Sequence, residues 1–443
     1  SFSAAYRISE EAFFEPLRKT VDNLKIRLSY GSLGNQQIGY YDFIQTITTK
    51  GSMGDYSFDG TILGQHATVS DPVSGDQTWE KVVSKNLGLD LNMFNNRLSL
   101  TTDFYIRDTK GILGKGKSLP SIYGASEPQM NANNLRTKGY ELVLGWRDSF
   151  KLAGSTFSYG ITGTFSDYTA EYTKCDNPTG LIGDPYVGKK YGEIWGYKVD
   201  GLFRNDKEAA EYASRIDLST VASGYYTATG AYGKGVRGGD IKYLDLNGDN
   251  IVNGGKGTLD DPGDRRVIGN SSPRYQYGAS LNFSWYGFDV SVFMQGIGRL
   301  DWYPGADNLR FWGPYCRPYA TFVPKNFMSQ VWSEENPDAY FPRPRGYVAL
   351  SGTNRELTAV NDRYLQDIRY CRLKNLTIGY TLPKKWTRKV LIENLRVYFT
   401  GENLATWSPI HSDYIDPEMA AMNDEMRTYP WQKTYMFGVD VTF

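Results

Sequence analysis

Asp245, Asn247 and Asp249 stand at alternate positions in DLNGDNIVN (Asp245–Asn253), and the carbonyl of Ile251 follows two residues later. Oxygen donors at the first, third, fifth and seventh positions of a tight loop are the donor set of a hard cation, so the chemistry they predict is calcium binding. Such an ion would be structural, because it removes the repulsion between gathered carboxylates and thereby fixes a loop. The match is partial. The position that calcium loops give to glycine holds Asn250, and the position of the closing glutamate holds Lys256, which cannot ligate. The competing reading is an Asx-rich turn whose side chains cap their own backbone.

A second constellation is DWYPGADNLRFWGPYCRPYATF (Asp301–Phe322), where Trp302, Tyr303, Phe311, Trp312, Tyr315 and Tyr319 are interleaved with Asp301, Asp307, Arg310 and Arg317. Flat rings beside charged groups stack on sugars or hold peptide side chains. Trp302, Tyr303, Arg310, Trp312 and Tyr315 are therefore candidate substrate contacts, although the same residues also suit a small core of the loop itself. Other chemistry finds little support. GKGVRGG carries a GxGxxG spacing at Gly233, Gly235 and Gly238, but no strand precedes it and no helix follows. His66 and His411 lie far apart without a serine or cysteine motif, which leaves no hydrolytic triad, and the paired acids Glu334 and Glu335 read as a solvated turn. No catalytic residue emerges, and a non-enzyme is expected. Cys175, Cys316 and Cys371 have neither metal-ligand spacing nor an even count, and read as structural.

The elements that position these residues are strands. In NLGLDLNMFNNRLSLTTDFYIRD (Asn86–Asp108), Leu87, Leu89, Leu91 and Met93 point one way; after a turn at Asn95 and Asn96, Leu98, Leu100, Thr102, Phe104 and Ile106 resume the pattern. A period of two means strand. The pattern recurs in STFSYGITGTFSDY (Ser155–Tyr168) and across a hairpin turning at Tyr286-Gly287. It recurs again in segments starting at Asn23, Lys138, Leu373, Asn394 and Lys433. This amounts to about ten to fourteen strands and one convincing short helix, Asn205–Ile216, with Asn205 or Asp206 as its cap. Interleaving reconciles an aromatic share of 15% with a mean hydropathy of −0.48, because alternation cancels in any window average. No apolar run approaches the roughly 18 residues of a membrane-spanning helix, which leaves a spanning barrel open. With 49 basic and 49 acidic residues, no net field attracts nucleic acid.

The polar faces of these strands are small and hydrophilic, and the apolar faces carry aromatics near strand ends, as at Tyr275 and Trp285. This suits a barrel with interfacial girdles and a wet lumen, although sandwich strands look similar. Very short turns contrast with connections at 170–272, 299–368 and 406–431, the outer-membrane pattern, in which the long loops carry the function.

Several strings match a known family in order along the chain: TWEKVVSKNLGLDLNMFNNRLSLTTDFYIRDTKGIL (Thr78–Leu113), NNLRTKGYELVLGW (Asn133–Trp146), GDIKYLDLNGDNIVN followed by GDRRVIGNSSPRYQYGASLNFSWYGFDVSVFMQG, and the closing YPWQKTYMFGVDVTF. They resemble SusC/RagA-type TonB-dependent transporters. The resemblance implies an all-β fold, an antiparallel transmembrane β-barrel of about 22 strands with a plugged lumen, of which this chain is the C-terminal half. It implies that the plug domain and TonB box lie outside this chain, and that the partners are the N-terminal half of the barrel, the TonB complex, a SusD-like surface lipoprotein acting as lid, and outer-membrane lipid. It further implies import of oligosaccharides or peptides across the outer membrane of a Gram-negative cell, by a dimer of transporter-lid pairs. Within the family pattern Asp264, in GDRRVIG, is the counterpart of a further ligand to the calcium loop, with Asp260 or Asp261 as substitutes, and the aromatic loop becomes a docking surface for the lid. Phe443, closing an amphipathic strand, resembles the signal read by the barrel-assembly machinery. The alternatives are a surface glycan-binding all-β protein without transport and a polysaccharide-degrading enzyme.

Overall fold

Eleven strands form one antiparallel sheet in chain order, each bonded to the one before it. They are β1 (Phe2–Arg7), β2 (Val21–Asn35), β3 (Glu80–Met93), β4 (Leu98–Lys115), β5 (Gln129–Leu152), β6 (Ser155–Lys174), β7 (Arg274–Trp285), β8 (Phe288–Arg299), β9 (Tyr370–Thr381), β10 (Asn394–Trp407) and β11 (Thr434–Thr442). The computed structural model describes residues 1–35, 44–50, 57–58, 61–62, 66–75, 77–115, 119–227, 235–316, 323–345, 356–422, 429 and 431–443. The sheet does not close on itself: β1 and β11 are its two edges. Eleven strands are half of the roughly 22 of a plugged outer-membrane barrel, as expected. Only β1 escapes the sequence reading, being six residues long with a single period of alternation.

Turn chemistry explains the register. Leu152 faces Ser155 across Ala153-Gly154, and Trp285 faces Phe288 across Tyr286-Gly287. All four turn residues have positive φ, at 49° and 85° in the first turn and 49° and 84° in the second. Two successive left-handed residues make the tight hairpin whose twist matches that of the flanking strands, and glycine takes the second position without steric cost. Phe94, Asn95 and Asn96 reverse the chain between β3 and β4 with φ of 61°, 59° and 58°. These turns share one rim with the connections at 8–20 and 382–393, while the connections at 36–79, 116–128, 175–273, 300–369 and 408–433 all lie at the other.

The register sorts side chains into two faces. Opposed residues share a face, so Leu28, Leu87, Phe104 and Tyr140 form one row across β2 to β5. Rings at the top of this face run in sequence: Phe104 to Tyr140 at 6.4 Å, Tyr140 to Phe165 at 6.0 Å, and Phe165 to Tyr275 at 6.4 Å between centroids. A second belt lies near the short turns, where Phe150 meets Phe157 at 5.3 Å and Phe157 meets Phe283 at 6.3 Å. From Phe157 to Phe165 is about 27 Å along the strand, which matches an apolar band of roughly 25 Å between two aromatic girdles once tilt is allowed for. β5, at 24 residues, is more than twice the roughly ten residues that a tilted strand needs to span hydrocarbon. Its surplus rises toward the long connections.

The opposite face is polar and built around missing side chains. Arg27 of β2 faces Gly88 of β3, and Gly88 faces Asp103 of β4. The guanidinium lies over the glycine and reaches both sides, with Nε to Asp90 at 2.9 Å and Nη2 to Asp103 at 2.8 Å, while Asn86 adds a bond to Asp103 at 2.7 Å. The same device recurs on β8 to β11, where Arg396 bonds Asp289 at 2.9 and 2.7 Å and Asp440 at 3.1 Å, crossing Gly379. A Cβ on Gly88 would stand 2.5 Å from Arg27 Cζ, and one on Gly379 would stand 2.5 Å from Arg396 Nη2. Because the obstructed group is the end of a flexible side chain, the cost falls on the ion pairs and not on the backbone. In the full-length barrel Gly88→Val is expected to cost about 1–2 kcal/mol, read as a folded band on heat-modifiability gels that unfolds several degrees lower. Arg27→Ala/Gly88→Val should lose little more than Arg27→Ala alone.

Candidate functional site

The hydrophobic core lies in the long connections and not between strands. Fully buried Phe203, Leu218, Tyr225 and Tyr243 from 175–273 pack with Trp312, Tyr315, Leu357, Tyr364 and Ile368 from 300–369, joined by Ile415 and Ala420 of the last loop. Short ladders frame it: Glu193–Gly196 with Arg266–Asn270, Val199–Leu202 with Ile241–Tyr243, and Asp301–Trp302 with Gln366–Asp367. Helix α1 (Asp206–Ala213) begins as the sequence predicts, with Asn205 Oδ1 accepting from Glu208 N at 2.9 Å. Asn361 ties the layers together, donating to Tyr303 Oη at 3.0 Å and accepting from Tyr364 N at 3.1 Å.

This core absorbs most of the aromatic loop. Trp302, Trp312 and Tyr315 are buried in it, Phe311 with them, and Tyr303 is half-buried with its hydroxyl donating to Leu357 O at 2.8 Å. Of the predicted contact residues only Arg310 opens on a cavity. Arg317 and Tyr319 lie outside the described residues, as does Gly233 of the glycine-rich stretch. Among the described residues Arg310 has neither an ion pair nor a hydrogen bond.

Two adjoining cavities, of about 210 and 690 Å³, share Arg310, Ile410, Ser412, Asp413 and Tyr414. The first also presents Phe311, Phe327, Phe341 and His411. One wall is thus the 300–369 connection and the other the segment 408–417. The second wall is held from two sides. His411 stacks on Tyr340 with centroids 3.5 Å apart and shares a hydrogen bond with Gln330 at 3.1 Å. Further on, Asp416 and Glu418 meet fully buried Arg372 of β9 at 2.5 and 3.1 Å, and Glu418 also meets Lys374 at 2.9 Å. Asp413, like Arg310, has neither an ion pair nor a hydrogen bond among the described residues. The cleft therefore offers one cation, one carboxylate and aromatic faces. Sequence reasoning missed Asp413 and set His411 aside because no local motif surrounds them; HSDYIDPE, five titratable groups after a strand ending in Trp407, was the available signal.

The DLNGDNIVN loop folds as the Asx alternative describes. Asp245 accepts from Gly248 N at 2.7 Å and Asn250 N at 2.9 Å; Asn247 accepts from Asp249 N at 3.0 Å; Asp249 accepts from Ile251 N at 2.8 Å. Asp264, fully buried, accepts from Leu246 N at 2.7 Å, Asn247 N at 3.3 Å and Asn253 N at 2.8 Å. The family counterpart is thus brought to the loop, but as its keystone. A calcium shell needs about six or more oxygens turned on one point, whereas these oxygens are turned on backbone N–H groups. No group of three or more acidic, histidine or cysteine ligands converges among the described residues. As it stands, the donor set does not fit calcium.

A buried acid pair lies within the long connections. Asp240 and Glu356 are both fully covered; Arg345 Nη1 meets Asp240 Oδ2 at 2.5 Å, and Ile241 N donates to Glu356 Oε1 at 2.5 Å. Burial pushes Asp240 up to about 6 against the pull of Arg345, and pushes Glu356 well above the usual carboxylate range, with Asp240 adding to the rise.

No profile of a known protein family matches the chain. It is 28% identical over its whole length to TonB-dependent receptor P26 of Formosa agariphila, covering 42% of that protein. To receptor P3 of the same organism it is 26% identical, covering 41%, and to SusC of Bacteroides thetaiotaomicron 21%, covering 40%. The solved RagAB peptide transporter superposes on the whole chain with a TM-score of 0.68 at 21% identity, over 43% of that chain. Over its whole length the chain is similar to TonB-dependent receptors of the SusC and RagA type. It spans about two fifths of the length of the curated relatives it matches. The apolar face of this SusC-type sheet meets the lipid of a Gram-negative outer membrane, which the chain crosses with strands, and the polar face lines the lumen. The aromatic core and its cleft lie in the long connections, which in outer-membrane barrels are the extracellular ones.

Two predictions follow from the packing of these connections. Asp264→Ala leaves three N–H groups unpaired at a cost of about 2–4 kcal/mol, and hydrogen exchange at Leu246, Asn247 and Asn253 should accelerate at least about tenfold, with or without added Ca²⁺. Acceleration seen only in calcium-loaded protein would assign the oxygens to a cation. For the acid pair, a raised folded-state pKa gives stability that is complete below the unfolded value and is lost as pH rises toward the folded one. The loop core should therefore weaken between about pH 4 and pH 6 through Asp240, and further above that through Glu356. His411, whose pKa burial lowers, acts in the opposite sense. The decisive measurement is therefore the difference between wild type and Glu356→Gln in tryptophan-fluorescence melting from pH 5 to 8, with the variant showing the flatter profile.

Proposed function

We propose that the chain forms one half-barrel wall and the outer loops of an importer that carries short peptides across the outer membrane, driven by the TonB system and closed by a SusD-like lipoprotein. The observation that carries the substrate reading is the cleft between 300–369 and 408–417, with Arg310 and Asp413 both unpaired. A zwitterionic chain offers a carboxylate to the first and an ammonium to the second, and its apolar side chains suit Phe327, Phe341 and Tyr414. A neutral oligosaccharide would desolvate both charges without neutralising either. The likeness to a structure described as a peptide transporter agrees with this reading, while the likeness to SusC supports nutrient uptake in general.

The test is calorimetric titration of the full-length receptor with a mixed peptide pool and with neutral oligosaccharides. Peptide binding should weaken about tenfold in Arg310→Ala and in Asp413→Asn, the typical effect of removing one partner from a partly desolvated charge pair, with heat-modifiability unchanged. Tight binding of neutral glycans that ignores both substitutions would replace this reading with a glycan importer.

A further inference from the structure

On the lipid face of β2 to β5 the register sets a row of unlike residues directly above the ring row of Phe104 and Tyr140. Tyr30 faces Lys85, Lys85 faces Ile106, Ile106 faces Lys138, and Lys138 faces Thr169. Lys85 and Lys138 are exposed and have no ion pair or hydrogen bond among the described residues. None of the acids nearby forms an ion pair with either lysine. Asp167 is held by Arg274 at 2.5 and 2.6 Å, and Asp108, one row higher, is held by Arg136 at 2.7 Å. Below the two lysines opens an apolar cavity of about 820 Å³, lined by Phe2, Leu28, Leu87, Phe104 and Tyr140 and reaching both ammonium stems.

Height fixes what meets them. Counting up β3 from the short turn, the residues on this face are Met93, Leu91, Leu89 and Leu87, all apolar, and then Lys85. On β5, counted from the row of Met93, they are Trp146, Leu144, Leu142 and Tyr140, and then Lys138. Both lysines therefore stand just above the upper aromatic girdle, where hydrocarbon gives way to headgroups on the side of the long connections. One strand, β4, separates them, so two strand spacings, about 10 Å, lie between the lysines, a spacing that lets both ammonium groups reach one phosphorylated headgroup or its two phosphates. An unpaired lysine on a lipid face is costly in hydrocarbon and favourable beside an anionic headgroup.

We propose that this row and the cavity beneath it form a docking site for a phosphorylated glycolipid of the outer leaflet, its phosphates on Lys85 and Lys138 and an acyl chain along Leu28, Leu87, Phe104 and Tyr140. Aliphatic chain against apolar groove supplies adhesion, and the charge pair supplies selection for phosphate.

The test uses the full-length receptor in mild detergent and native mass spectrometry with two probes, a bisphosphorylated lipid A and its chemically dephosphorylated form, with inorganic phosphate as a third arm. The wild type should retain the bisphosphorylated lipid at least about tenfold more than the dephosphorylated one, falling to parity in Lys85→Ala/Lys138→Ala, while inorganic phosphate does not compete at millimolar concentration. Equal retention of both lipids by wild type overturns the proposal even if the double variant fails to assemble. So does a double variant that assembles and keeps the preference. Competition by free phosphate would reassign the lysines to a soluble anion.

Discussion

A backbone N–H or C=O in hydrocarbon has no water to bond, and this single constraint organises the chain. Each of β2 to β10 is paired on both sides, in register over most of its length. Only β1 and β11 present one free ladder each. In a bilayer those edges must be met by further strands, which accords with a sheet that matches about two fifths of its relatives' length. Everything that cannot be part of a ladder is expelled to the rims, either as turns of a few residues or as the long connections.

The same constraint produces the division between the faces. Lipid needs no polar partner and receives Leu, Phe and Val; the lumen face must hold its charges in compensated groups. Arg27 over Gly88 and Arg396 over Gly379 solve that problem twice in the same way, each guanidinium crossing a strand that has no side chain to obstruct it. One end of the sheet is thus braced across three neighbouring strands and the other across four, by a side chain as well as by the backbone.

The long connections obey different physics. They are surrounded by water and are long enough to bury rings of their own, so they form a conventional core with Trp312, Tyr364 and Tyr243 at its centre. That core gives the cleft its rigidity: Arg310 is carried on a helical turn whose neighbours Phe311 and Trp312 are anchored inside, and the opposite wall is fixed by Arg372 gripping Asp416 and Glu418. Unpaired charges on firmly held walls are what a binding site requires, because little ordering is left for the ligand to impose.

Local periodicity determined much of this protein. Alternation at every second residue specified strands from β2 to β11, the Asn95-Asn96 and Tyr286-Gly287 turns specified hairpins, and the unequal connections specified which rim carries the long loops. These features are legible because each depends on residues within a few positions of one another. The tertiary structure alone decided the rest. It turned Trp302, Trp312 and Tyr315 inward while leaving Arg310 in the cleft, brought Asp413 to face it, placed Asp264 under a loop as its hydrogen-bond keystone, and set Lys85 level with Lys138. Those outcomes depend on how long loops close over one another and on register summed across several strands, and neither is encoded in the neighbourhood of any one residue.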